Sequence, residues 1–360
     1  MKERPTLSSL GEVETMYEGG GPMTYIGFDH HKKWTQAAAI DDQAKIIREM
    51  RVLNDRSSLK GFLKGLPKPL MGVVEAGPTW GWIYDTLSEL GVKMIVANPN
   101  AVRAIAEAKI KTDKIDARML AALLRVGLIP EVYVPSEEIR AQKMLWRERI
   151  WLVRMYVRLK NRIHRLLKHY HVEVPEFSDL FGSAGRRFLE ELELPDPGNR
   201  ILKAQLKLLE SYRSQIQEVQ RWAVQATRNH PYRVYLESLP GFGKVFAPIV
   251  ALEIDDPKRF ANPGKLASYC GLVPSLYSSG GKSWQGGIGR EGNHWLKWAF
   301  IEAAWAAIRA SAYFRVLYQR LRERKTAQVA IVACARRLCE IAYHLMKERR
   351  CYQERQVSYG

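Results

Sequence analysis

Four carboxylates and a pair of serines carry the chemistry open to this sequence. Asp29 closes the apolar run YIGF, Glu75 closes LMGVV, and Asp113 and Asp116 stand three apart in KTDKIDAR. Residues three apart share a helix face, and strand ends and a helix start can converge on one edge of an α/β sheet. Oxygen ligands gathered there suit Mg²⁺, and ions held by carboxylates can position a phosphodiester for in-line transfer. Each acid also has a plainer role: Asp113 and Asp116 as first-turn charges of a helix capped by Thr112, Asp29 as a turn former. His30 and His31 follow Asp29, but adjacent strand residues point to opposite faces. They stay unassigned, with a phosphate or solvent contact expected ahead of metal ligation.

Ser278 and Ser279 precede Gly280 and Gly281 in LYSSGGKSWQGGIGREGNHWLKWAF, where Lys282, Arg290 and Lys297 supply positive charge. A serine hydroxyl there could attack phosphorus if it were activated and the phosphate clamped. By composition alone the stretch is a flexible loop, and spacing does not choose between the two serines. In LESLPGFGKVFAPIV, Gly241 and Gly243 would let backbone N–H groups approach a phosphate at a helix start, with Lys244 adding charge. An ordinary turn between two helices reads the same residues equally well.

The elements that must position these residues follow from periodicity. MTYIGF, TQAAAI and IIREMRVL, joined by short turns, predict an antiparallel β-meander. An amphipathic segment near 57–65, a strand at LMGVVE, a helix near 79–90, a strand at VKMIVA and a helix over 113–126 complete an α/β domain. Leu145, Leu152, Leu159 and Leu166 then recur every seven residues, with Tyr156, Ile163 and Tyr170 in the second seam position. Leu202, Leu209, Ile216 and Ala223 repeat the pattern after a break rich in Pro and Gly. The two seams can pair within one chain or between chains. The outer face of the first carries Arg147, Arg149, Arg154, Arg158, Lys160, Arg162, Arg165 and Lys168, a solvated face residue by residue but a phosphate-tracking surface as a set, with Arg154, Arg158, Arg162 and Arg165 its candidate contacts. A mostly helical region follows from 231.

The resulting plan is a flexible leader (1–22), an α/β domain (23–135), a coiled-coil connector (136–230), a helical domain bearing the serine loop (231–345) and a tail (346–360) that frays after Arg350. Lys and Arg total 56 against 38 acids, a net charge of +18, so a polyanionic partner is expected, nucleic acid first. With 46% apolar residues the 360-residue chain can bury two or three cores, which excludes a disordered basic tail. Four cysteines without metal-ligand spacing exclude a zinc ribbon and a disulfide framework. The absence of an apolar run long enough for a membrane predicts a soluble, intracellular, reducing location.

Taken in order, YIGFDHHKKW, VVEAGPTWGWIYDTL, KTDKIDARMLAALLRVG, LPGFGKVFAPIVALEI and GLVPSLYSSGGKSWQGGIGREGNHWLKWAF resemble the DEDD insertion-sequence transposases, or bridge recombinases, whose relatives include the Piv DNA invertase. The resemblance runs from about residue 23 to 345. It implies a RuvC-like (RNase H fold) N-terminal domain, a coiled coil that assembles dimers and tetramers, and a mainly helical C-terminal transposase domain. It places the DEDD acids on Asp29, Glu75, Asp113 and Asp116, which would coordinate Mg²⁺, and the nucleophilic serine on Ser279. It further implies donor and target double-stranded DNA as substrates, a structured noncoding guide RNA, and a bacterial or archaeal cytoplasm. Two rivals remain at this point: a RuvC-like Mg²⁺-dependent junction nuclease that uses the acids without the serine, and a non-catalytic nucleic-acid-binding scaffold.

Overall fold

The computed structural model describes residues 22–105, 112–279, 282–288 and 292–354, so the leader, Arg290 and the far end of the tail lie outside the described residues. Two units separate after Val134.

The first unit is built on a five-stranded sheet. Strands β1 (Thr24–His30), β2 (Trp34–Ile40) and β3 (Ile46–Leu53) form the antiparallel meander expected from their alternation. Helix α1 (Arg56–Leu63), capped by Asp55, carries the chain across to β4 (Leu70–Glu75), which pairs parallel to β1. Helix α2 (Trp80–Glu89) leads to β5 (Lys93–Ala97), parallel to β4, and the sheet order is β3-β2-β1-β4-β5. Short α3 (Pro99–Ile105) and α4 (Asp113–Arg125) complete the unit.

Because strand side chains alternate, one face presents Ile26, Phe28, Ala37, Ala39 and Val74 to Leu59 and Phe62 of α1 and Ile83 and Leu87 of α2. The other presents Val73 and Ala97 to Val102 of α3 and Leu120, Leu123 and Leu124 of α4. On that second face Gly27 lets α4 lie directly on β1: a Cβ there would sit 2.0 Å from the Ala117 carbonyl oxygen and 2.7 Å from the Ala121 nitrogen.

The second unit begins with α5 (Glu137–His169) and α7 (Gly198–Ala226), separated by the short α6 (Ser183–Glu191). The two long helices pair with each other within the chain. Leu159, Ile163 and Leu167 meet Leu202 and Leu209 at one end of the hairpin, where Leu189 of α6 joins them. At the other end Trp146, Ile150 and Ala223 enter the core of the helical body.

That body comprises α8 (Arg233–Glu237), α9 (Gly243–Ile254), α10 (Pro263–Tyr269), α11 (His294–Ala310), α12 (Ala312–Arg322) and α13 (Ala327–Glu348). Alanines 299, 303, 307, 335 and 342 let the helices approach closely. The glycine-rich stretch expected as a loop is a two-stranded antiparallel hairpin, β6 (Pro274–Ser279) and β7 (Lys282–Ile288). Nor does the tail fray directly after Arg350. Helix α13 continues to Glu348, the Tyr352 N–H donates to Ser238 Oγ at 2.8 Å, and Glu354 Oε1 accepts from the Tyr313 N–H at 3.2 Å.

Candidate metal centre and serine hairpin

Asp29 and Glu75 stand one position beyond or at the end of neighbouring parallel strands whose last paired residues are Phe28 and Val74. The start of α4 comes to the same edge because α4 runs antiparallel to β1: Ala121 and Ala117 cross Gly27, which leaves Asp113 beyond the strand's end. Thr112 caps this helix, its hydroxyl accepting from the Ile115 N–H at 3.3 Å, so helix capping and the carboxylate cluster coexist.

The tightest group of potential ligands among the described residues is Asp29, His31 and Asp113, with donor atoms within 4.8 Å of one another. His31 Nε2 lies 3.1 Å from Asp29 Oδ2 and 3.5 Å from Asp113 Oδ1. Arg51 stands 3.9 Å from the other oxygen of Asp113, and its guanidinium lies over the Trp34 ring, 3.8 Å from the centroid. Asp116 and Glu75 stand outside this group, although the Asp116 charge still reaches Asp29. Burial raises the Asp29 carboxyl above its ordinary range; His31 works against that shift, and the charges of Asp113 and Asp116 add to it. A site with this surplus of negative charge, two carboxylates and an imidazole fits a divalent cation.

His31 is the residue the sequence reading passed over, and the structure shows how it arrives. Strand β1 ends at His30, and Asn54 Nδ2 donates to the His31 carbonyl at 2.7 Å, turning the chain back. The Thr35 hydroxyl donates its single proton to Asn54 Oδ1 at 2.7 Å, so its 2.8 Å bond with His30 must be donated by His30 Nδ1. Burial lowers the His30 pKa, which favours the neutral ring, and the bond to Thr35 then puts its proton on Nδ1. Thus His30 braces the turn while His31 faces the acids.

In the second unit, Ser279 of β6 pairs with Lys282 of β7, and Ser278 with Ser283, at the tip of the hairpin. The described chain resumes at Gly292, just before α11. Gly292 adopts φ +111°, where a Cβ would lie 2.9 Å from the Gly271 nitrogen. The Asn293 N–H donates to the Tyr269 carbonyl at 2.8 Å, and Asn293 Oδ1 caps α11 through the N–H groups of Trp295 and Leu296. Asn293 Nδ2 then donates to Glu253 at 3.0 Å. The Glu253 side chain is 4% exposed and also meets Arg147 at 2.7 Å and Lys143 at 3.7 Å. Burial lowers the Lys143 pKa, with the Glu253 charge opposing that shift. A three-part ion pair from the long helix α5 therefore reaches Asn293, the cap of the helix that follows the serine hairpin in sequence.

The remaining expected contacts are distributed over this unit. Arg158, Arg162 and Arg165 are exposed along α5, whereas Arg154 lies over the rings of Trp295 and Trp298. Gly241, at φ +86°, uses its missing side chain against α11, since a Cβ would sit 2.1 Å from the Ala303 carbonyl oxygen. Gly243 faces open space at the start of α9, beside exposed Lys244. Among the described residues no helix is long and apolar enough to cross a membrane.

Comparison with known proteins finds transposases along most of the chain. A model of the IS116/IS110/IS902 transposase family matches residues 234–319, and a DEDD-type model described as a transposase matches residues 26–172. A Sinorhizobium fredii protein, y4rJ, which bears a transposase designation, is 30% identical over 82% of this chain and 77% of its own length. The transposase of insertion sequence IS1328 from Yersinia enterocolitica is 28% identical over 89% of this chain and 96% of its own. The transposase of IS1111A from Coxiella burnetii is 24% identical over 91% of each.

Proposed function

Since the chain belongs to the IS116/IS110/IS902 family of insertion-sequence transposases, enzymes that act on DNA, we propose that it exchanges strands between donor and target DNA through Ser279, with Asp29, Glu75, Asp113 and Asp116 holding Mg²⁺. The convergence of Asp29, His31 and Asp113 carries this reading, because it gathers like charges at a sheet edge where a bound cation relieves them. The sheet order, an antiparallel meander continued by parallel strands, supports a RuvC-like fold for the first unit.

A bound divalent cation supplies charge against the non-bridging oxygens of a phosphodiester. The chain's own contribution is nucleophilic. The Ser279 oxygen bonds to phosphorus as a deoxyribose oxygen leaves and takes up a proton; a hydroxyl from the other strand then displaces the serine and restores it. One phosphodiester is made for each one broken, so no outside energy source is required. A structured noncoding guide RNA selects the sites, and the enzyme works as a homo-oligomer, a dimer or tetramer. Arg154, Arg158, Arg162, Arg165, Gly241, Gly243, Lys244, Lys282 and Arg290 belong to its nucleic-acid contacts; Arg290 is proposed from sequence alone.

The test is a denaturing gel for SDS-stable protein–DNA adducts, using protein expressed with the element's flanking noncoding DNA. Wild type should form an adduct, Ser279→Ala none, and Asp113→Asn at least about tenfold less, the scale of losing one charge-stabilising group. An adduct retained in Ser279→Ala overturns the serine assignment. DNA cleavage with Mg²⁺ and no adduct in any variant would make the protein an acid-only junction nuclease.

A further inference from the structure

The outer side of α7 near its C-terminal end, together with the start of α9, encloses a groove of about 960 Å³, of whose lining only Lys244 enters the nucleic-acid contacts proposed above. Arg221, on the last turns of α7, and Arg228, in the turn just past that helix's end at Ala226, both line it. The opposite side of that helix is spent on the fold, since Val219 and Ala223 are buried. Lys244 faces Arg221 and Arg228 across the groove from the first turn of α9. Arg221, Arg228 and the Lys244 ammonium are exposed, and among the described residues no acid pairs with them. A fourth cation in the lining, Arg233, is already committed to Glu237 at 2.6 Å.

The amides of Gln217, Gln220 and Gln225 share the lining with these cations. Gln220 is held: its Oε1 accepts from Arg149 Nε at 2.9 Å, and Arg149 rises from α5 beneath the groove floor. The bonded oxygen leaves the Gln220 NH₂ to donate elsewhere. A lining of cations and amides matches a chain of phosphates whose bases offer free edges. The Watson–Crick edges are open only where bases are unpaired, whereas a duplex offers the amides only the edges exposed in its grooves.

We propose that this groove binds a single-stranded segment of nucleic acid, phosphates on Arg221, Arg228 and Lys244 and base edges on Gln220 and Gln225. The inference rests on the DNA- and RNA-handling role proposed above and assigns part of it to a place. It also gives the positively charged end of the α5–α7 hairpin a ligand independent of the serine and the acids.

The test measures binding of fluorescent 12-nucleotide single-stranded DNA, single-stranded RNA and duplex DNA to the full chain across salt concentrations. Each phosphate contact on a single strand contributes a slope of about 0.7 in log affinity against log salt, so R221Q/R228Q/K244Q should lower the slope by about 2. The control K203Q/K207Q/R213Q removes three exposed cations from the same helix outside the groove and should lower it by less than half as much. Loss confined to RNA assigns the groove to RNA, and loss confined to single-stranded DNA assigns it to a displaced DNA strand. An unchanged slope in the groove variant, an equal loss in the control, or an equal loss on duplex overturns the groove. A wild type that binds none of the three probes overturns the groove and the nucleic-acid role together, while an unchanged groove variant leaves that role standing.

Discussion

Asp29 ionises against its surroundings. Its carboxyl is half-buried and feels Asp113 and Asp116, and the His31 contact only partly offsets these effects. A carboxyl whose folded pKa is raised contributes stability that is fully present below its unfolded pKa and is lost as pH rises through the folded value. At neutral pH the ionised group therefore weakens the fold, a cost tolerated where function needs the charge. Asp29→Asn should raise the melting temperature in EDTA and remove most of the gain that Mg²⁺ or Mn²⁺ gives the wild type. A variant that gains as much from the metal as wild type would take Asp29 out of the cation site. Asp29 and Asp113 were legible from their places at a strand end and a helix start. His31 was not: alternation holds only while the strand lasts, and the turn that redirects His31 depends on Asn54, which lies 23 residues away.

At the scale of elements, the acidic group exists because one helix can touch one strand. Gly27 is the point of contact, and any side chain there meets the backbone of α4 rather than a movable side chain. Gly27→Ala should cost about 1–3 kcal/mol, as forced overpacking does. It should also weaken divalent-cation binding, because lifting α4 carries Asp113 away from Asp29. Chemical denaturation and calorimetric metal titration measure the two effects, and full metal affinity in a destabilised variant would separate the helix position from the site. The meander and the strands LMGVVE and VKMIVA were readable because one period governs each run. Strands β6 and β7 were not, since glycines at 280, 281, 286 and 287 hide the alternation and the pairing comes from the hairpin register. The heptads of α5 and α7 fixed which faces are apolar but not whose partner they meet; within the chain, those faces meet each other.

For the whole molecule, the charge of +18 has to be reconciled with choosing particular DNA sites. Phosphate contacts hold and orient a nucleic acid without reading its sequence, and exposed Arg158, Arg162 and Arg165 on α5 are suited to backbones. Base pairing with a guide can supply the missing specificity while the protein binds by shape and charge. If the guide is an RNA that occupies this basic surface, digestion with RNase should abolish strand exchange between defined donor and target duplexes. The metal-dependent rise in melting temperature should survive, because the acidic group lies wholly within the first unit. Adding back the noncoding RNA encoded beside the gene should restore exchange, whereas an unrelated RNA of equal length should not. Rescue by the unrelated RNA would reduce the nucleic acid to a counter-charge for a cationic protein. Exchange that persists after complete digestion would make this transposase a protein-only recombinase, with its specificity in contacts to DNA bases.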